Sequence, residues 1–404
     1  MTNTYVISAK ELLVALVGLS GELPFSGLAD RQNKYSSLYF QNTISLLCRE
    51  KVVRKVKNSE GEEFIRLSIP RGDEYLKNIS LGLYNNFLVM SEAGKDSPAR
   101  RYKGDVKRRS RREQMGKLIT SFYELGCSVN GFSFEVGENA PADMELGFLL
   151  RKQAVFREDG SIMPVEEIFQ RIKSAENVFL SCQTLRMQGN ERIPHAREES
   201  SRKYGLCQMG ERFFLVYYLN DVGYTWTRDI ERYNRQYLEQ KTEKSVDGLF
   251  IAKSMEIYGN LIKPVKITKA LCQPLFVFEN AHVILEGEQG SVSLKLLTSK
   301  DFEKVIIKAL IPSVEEGSGL FIGMLYGVPI FSFLTGNLKS LQEAKRYFAE
   351  ENSGFLLVMD YQKEAVIKFL GPSSDAEDRL LVFDSEIVKT VIKSIEEGKK
   401  NADI

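Results

Sequence analysis

The residues with the clearest chemical use lie between Tyr35 and Arg49. Ser36, Ser37, Tyr39, Gln41, Asn42, Ser45 and Arg49 form one polar set there, and Leu38, Ile44, Leu47 and Cys48 form an apolar one. An Asn or Gln amide can pair through two hydrogen bonds with the edge of adenine, provided that a helix carries it into the major groove of a duplex. Any amphipathic surface helix also has a polar face, so this chemistry needs support from its neighbours. Arg54, Lys55 and Lys57 follow closely and suit phosphate or minor-groove contacts. Beyond them Glu60, Glu62 and Glu63 would repel phosphate, so that tip is expected to stay clear of DNA. A second cationic run, Arg100 to Arg112, includes Arg108, Arg109, Arg111 and Arg112 and could neutralise several phosphates with strong salt dependence. Its alternative reading is a solvated linker, or a helix start that pairs with acidic residues of the body.

Catalytic constellations are harder to assemble. Two histidines, His195 and His282, lack the HxxxH or HxH spacing of a metal site, and both read as structural or exposed. A magnesium-dependent nuclease needs an Asp followed on a neighbouring strand by Glu-x-Lys, so that carboxylates hold the metal while the lysine assists the attacking water. Asp143, in Pro141-Ala142-Asp143, is a candidate first half, but no Glu-x-Lys follows on a convincing strand. Asp247 and Glu279 are spare carboxylates near strands. No GxxxxGK[ST], GxGxxG or GxSxG sequence occurs, which removes the usual nucleotide-binding and serine-hydrolase signatures. Phe213, Phe214, Tyr217, Tyr218, Tyr224 and Trp226 form an aromatic cluster that reads as core rather than as a base-stacking platform. No cofactor or metal is expected.

The elements that would position the polar set come in a definite order. Ser8-Ala9-Lys10-Glu11 is a capping box ahead of a helix with Leu12, Leu13, Leu16 and Leu19 on one face. Gly18, Gly21 and Pro24 end it, and a short helix over 25–31 and a turn at Asn33-Lys34 lead to a third helix from Ser36 or Ser37 to Glu50. Val52 to Val56 and Phe64 to Ile69 form a hairpin about Asn58-Ser59-Glu60-Gly61, and Asp73 to Ile79 forms a closing helix. Three helices, a hairpin and a helix make the winged helix-turn-helix order.

Residues 91–126 read as a basic linker entering a helix, 127–262 as a mixed α/β domain and 263–404 as a C-terminal α/β domain. The second half alternates strands (275–279, 281–285, 292–297, a pair within 320–333, 354–359 and 380–383) with helices (229–242, 253–261, 301–310, 338–350, 362–369 and 385–397). The overall class is α/β or α+β, with 1–80 as the winged module.

The chain's 404 residues are 43% apolar and 27% charged, ordinary for a soluble globular protein of two or three domains. No apolar run is long enough for a membrane helix, and the N-terminus lacks the basic start of a secretory signal. Five single, scattered cysteines argue against a disulfide framework or a zinc knuckle, so cytoplasmic residence in a bacterium is expected. The net charge of +1 hides an asymmetry: residues 1–112 hold 20 Lys and Arg against 12 Asp and Glu, while the rest holds 35 against 42. A basic module joined to a mildly acidic body is the charge pattern of a DNA reader.

Ser68-Ile69-Pro70-Arg71-Gly72-Asp73-Glu74-Tyr75-Leu76 resembles the T-P-x-G-x-x-x-L close of the winged helix in replication-relaxation proteins of Gram-positive plasmids and integrative elements. Ser200 to Gly205, Phe213 to Tyr218 and Trp226 are similar to larger clostridial mobile-element relatives. The resemblance spans about residues 5–240 and implies a mobile-element DNA-binding protein acting in replication control or transcription, with a body descended from a nuclease-like fold. It carries no catalytic residue onto this chain. Double-stranded DNA is the expected partner, with a homodimer allowed. A nuclease or relaxation enzyme and a protein-binding adaptor are the rival readings.

Overall fold

The computed structural model describes residues 3–25, 37–90, 106–136, 148–152, 163–171, 177–182, 203–220, 228–263, 274–299, 301–317, 321–371 and 375–402. It has the mixed α/β character expected from the sequence, and the chain divides into two compact units, Met1–Ala196 with Tyr204–Gln208, and Arg197–Lys203 with Met209–Ile404. The boundaries expected at 126 and 262 thus each fall inside a unit.

The first unit begins with β1 (Asn3–Ile7) and α1 (Ala9–Ser20). The Ser8–Glu11 capping box forms, with the Ser8 N–H donating to the Glu11 carboxylate at 2.7 Å and the Glu11 N–H donating to Ser8 Oγ at 3.3 Å. The helix is buried on every side from Leu12 to Ser20, rather than on the single face that its leucines suggest. Its neighbours explain this. After β2 (Leu23–Pro24) come α2 (Ser37–Arg49), β3 (Val53–Lys57), β4 (Glu63–Leu67), α3 (Arg71–Ile79), α4 (Leu81–Met90) and α5 (Val106–Glu124). Four of these helices and β4 pack on α1. The short helix expected over 25–31 lies, beyond Phe25, outside the described residues. α4 was not anticipated.

Strands β2, β4 and β3 form a three-stranded antiparallel sheet in that order. The β3–β4 turn is built by Asn58, whose side-chain oxygen accepts from the N–H groups of Glu60 and Glu62, both at 2.9 Å, while Gly61 takes φ +84. This is the local Asx geometry that makes Asn a turn former.

The rest of the unit is a sheet of β1, β7 (Phe148–Lys152), β6 (Phe132–Val136), β5 (Ser128–Val129), β8 (Val178–Ser181) and β9 (Lys203–Met209), with α6 (Val165–Arg171) before β8. β5 and β6 join through Asn130 and Gly131, both at positive φ as a tight hairpin turn requires. The buried Asn130 amide donates to Asn86 Oδ1 at 3.0 Å and its oxygen accepts from the Ser181 N–H at 2.8 Å. Asn86 in turn donates to the Gly18 and Leu19 carbonyls at the end of α1. This chain of satisfied polar groups ties the N-terminal helices to the sheet.

In the second unit β10 (Arg212–Leu219), β11 (Val246–Ala252) and β12 (Ala281–Leu285) run parallel, with α7 (Arg228–Thr242) and α8 (Met255–Ile262) between them. The strand expected at 275–279 is replaced by a single 3-10 turn, Pro274–Phe276, and that expected at 292–297 lies inside α9 (Glu288–Leu297). After α10 (Phe302–Leu310) come β13 (Glu315–Glu316), β14 (Gly323–Leu325), β15 (Val328–Ser332), α11 (Leu338–Glu351), β16 (Phe355–Met359), α12 (Lys363–Leu370), β17 (Leu380–Phe383) and α13 (Ser385–Ala402). The five strands pair in chain order, antiparallel to β15 and parallel beyond it. No helix among the described residues is long and apolar enough to cross a membrane.

Candidate nucleic-acid interface

The polar face of α2 is set by what its other face must bury. Ile44 and Leu47 are buried, Cys48 is half-buried, and α1 and β3 pack against the helix. That fixes Gln41, Asn42, Ser45 and Arg49 outward, and all four are exposed. The Ser45 hydroxyl donates to the Gln41 carbonyl at 2.8 Å, one turn back along the helix. Ser37 and Tyr39 belong to α2 with no described side chain, and Ser36 lies outside the described residues.

Helix α2 ends in a tight reversal. Lys51 adopts φ +58, and the Val52 N–H donates to the Leu47 carbonyl at 2.9 Å. The chain then enters β3, where Val53 is buried while Arg54, Lys55 and Lys57 are exposed. Lys55 Nζ sits 4.1 Å above the Phe25 ring, and Lys57 pairs with Glu63 at 3.5 Å. Among the described residues the side chains of Asn42, Arg49, Lys51 and Arg54 take no hydrogen bond or ion pair. Between α2 and β3 lies an open depression of about 530 Å³, lined by Ser45, Cys48, Lys51, Val53, Arg54, Lys55 and Ser68. Three of these side chains are cationic and none is a carboxylate, and burial pushes the Cys48 thiol up against the lowering influence of Lys55.

The second cationic run has a different fate. Arg112 is buried, 2% exposed, and its Nε donates to Glu22 Oε1 at 3.1 Å. Arg66 reaches the same oxygen at 2.7 Å. Arg109 pairs with Glu113 at 3.0 Å and donates to the Lys57 carbonyl, and Arg111 lies over the Tyr204 ring at 5.6 Å. Arg108 belongs to α5 with no described side chain. The expectation that Arg112 contacts phosphate is therefore corrected: its charge is spent inside the protein, where an ion taken from water requires a partner. Arg109 and Arg111 are likewise engaged within the unit. Burial, then repulsion from Glu22, holds the Glu113 carboxyl above its usual range, partly offset by Arg109.

The same helix accounts for the acidic tip of the hairpin. Lys117 pairs with Glu62 at 2.8 Å. Gly116 lets α5 lie close against the backbone just before β2, since a Cβ there would stand 1.9 Å from the Glu22 carbonyl oxygen. Of the tip's carboxylates, Glu62 is thus received by α5, while Glu63 pairs within the hairpin.

Of the enzyme candidates, Asp143 and His195 lie outside the described residues. Asp247 is buried in the second unit and accepts from Asn280 at 3.2 Å; burial raises its carboxyl above the usual range. His282 is 1% exposed, its Nδ1–H donates to the Thr335 carbonyl at 3.0 Å, and burial with the nearby Arg212 charge lowers its pKa to about 3. A ring that is neutral and hydrogen-bonded to backbone reads as structural. Phe213, Phe214, Tyr217 and Tyr218 are buried, with Tyr217 stacked 4.8 Å from Phe250, while Tyr224 and Trp226 lie outside the described residues. Among the described residues no three His, Cys, Asp or Glu side chains are grouped to hold a metal.

No family model, curated protein or solved structure matches this chain.

Proposed function

We propose that the N-terminal region is a winged helix-turn-helix that binds double-stranded DNA, with α2 in the major groove and β3 beside it. The observation that carries the reading is the exposed set Gln41, Asn42, Ser45 and Arg49 on one face of a 13-residue helix, next to the cationic Lys51 and Arg54. Helix α2 supplies a rod of groove width with donors and acceptors suited to base edges. The β3–β4 hairpin that follows it, with β2 paired on β4, supports the winged arrangement, since it sets an antiparallel ribbon directly after the helix. Action in replication control or transcription of a plasmid or integrative element is part of the proposal and rests on the sequence resemblance alone.

The test is selection of duplexes from a random pool by the purified full-length chain, followed by anisotropy titration at several salt concentrations. Enrichment of a defined sequence, bound with an affinity that falls as salt rises, supports the reading. Absence of any duplex binding at low salt removes it. Genes for an integrase, relaxase or plasmid replication protein beside this one would support the mobile-element part.

A further inference from the structure

The wing of a winged helix can meet DNA at its tip or at its base, and these two modes need opposite distributions of charge. Here the tip carries Glu60, Glu62 and Glu63, with Glu62 held by Lys117 of α5 and Glu63 by Lys57. The base carries Lys51, Arg54 and Lys55 around the depression between α2 and β3, together with the hydroxyl residues Ser45 and Ser68. Resting on the DNA-binding reading above, we infer that this depression seats the phosphodiester backbone of one DNA strand, and that the wing tip stays off the duplex, docked on α5.

Three observations converge on it. Lys51 and Arg54 are exposed and take no ion pair among the described residues, so both charges are available to phosphate. The surface is concave and lies immediately beside the exposed face of α2, as a backbone bordering an occupied major groove demands. Lys51 also occupies a left-handed backbone position, φ +58, that glycine takes without steric cost. The chain places a cation there instead, directing charge to the lip of the depression at the expense of local stability.

The backbone is the same in every duplex, so a fluorescein-labelled mixed-sequence duplex is a sufficient probe. Log affinity of the full-length chain is measured against log salt for the wild type, Lys51→Gly and Arg54→Ala. Each lost phosphate contact is expected to reduce the slope by about 0.9. Lys51→Gly carries a second signature: the melting temperature rises as the strained position is relieved, while DNA binding weakens. Glu60→Gln is expected to leave the dissociation constant within about twofold, because a tip remote from phosphate feels little of the backbone charge. Slopes unchanged in both Lys51→Gly and Arg54→Ala overturn the inference while leaving the DNA reading intact. So does a several-fold gain in affinity for Glu60→Gln, which would place the tip against phosphate. A wild-type chain that binds no duplex removes the DNA reading itself.

Discussion

Two groups of cations in the first unit look alike in the sequence and do opposite things in the structure. Lys51 and Arg54 stand on the exposed side of α2 and β3 without partners among the described residues. Arg66 and Arg112 converge on the single buried carboxylate of Glu22. The first group raises surface potential, and the second fastens α5 to β2 and β4. A count of positive residues cannot separate a binding surface from a clamp, because the distinction is made by where the nearest carboxylate lies.

The largest expected effect comes from breaking the clamp. Glu22→Ala removes the buried carboxylate that Arg66 and Arg112 share and is expected to destabilise the first unit by roughly 3–5 kcal/mol. Chemical denaturation of the full-length chain measures it. A loss below 1 kcal/mol would mean that water reaches the arginines and that the two groups differ less than their burial implies. Arg54→Ala is expected to leave the denaturation midpoint unchanged, since among the described residues no side chain pairs with that charge.

His282 extends the comparison to a buried group that can discard its charge. Its folded pKa of about 3 lies below the ordinary 6.5, so the stability linked to the neutral ring is complete above about pH 6.5 and is lost as pH falls toward 3. At pH 4 the loss amounts to about 3 kcal/mol. His282→Asn keeps an N–H donor for the Thr335 carbonyl without a titrating ring. The variant is expected to lose less stability than wild type between pH 7 and pH 4, as measured by denaturation at both values; equal losses would show that another group carries the acid sensitivity.

On the exposed side, Asn42→Ala is expected to cost about 1–3 kcal/mol on a selected site and to relax preference at one base pair. Competition titrations against single-base variants measure this. A uniform loss across all variants would recast Asn42 as a backbone contact.

How much of this was legible in the sequence depends on the range of the interaction. The Ser8–Glu11 box and the Asn58 turn are set by residues three or four positions apart, and both formed as read. Asn130-Gly131 is an equally local hairpin signal that went unread because its flanking strand β5 is only two residues long. The segment 292–297 was misread for a different reason. Val292, Leu294, Leu296 and Leu297 are all buried, so α9 loses the one-sided pattern by which a helix is recognised, and its alternating apolar residues mimic a strand. The fate of Arg112 was the least legible, because its partner Glu22 is 90 residues away. The polar face of α2 was legible because its outward residues are defined by the Ile44 and Leu47 pair within the same helix.

The smallest effect tests the docked wing. Lys117 and Glu62 are partly exposed, at 20% and 41%, so their 2.8 Å pair is screened by solvent. Lys117→Ala is expected to cost only about 0.2–1 kcal/mol of stability. Its value lies in a double-mutant cycle with Glu62→Gln. Coupling between the two positions, with no change in DNA affinity for either variant, keeps the tip on the protein side of the comparison. If Lys117→Ala instead weakened DNA binding in step with a lower salt slope, the lysine would belong with Lys51 and Arg54, and the division between surface and clamp would have to be redrawn along α5.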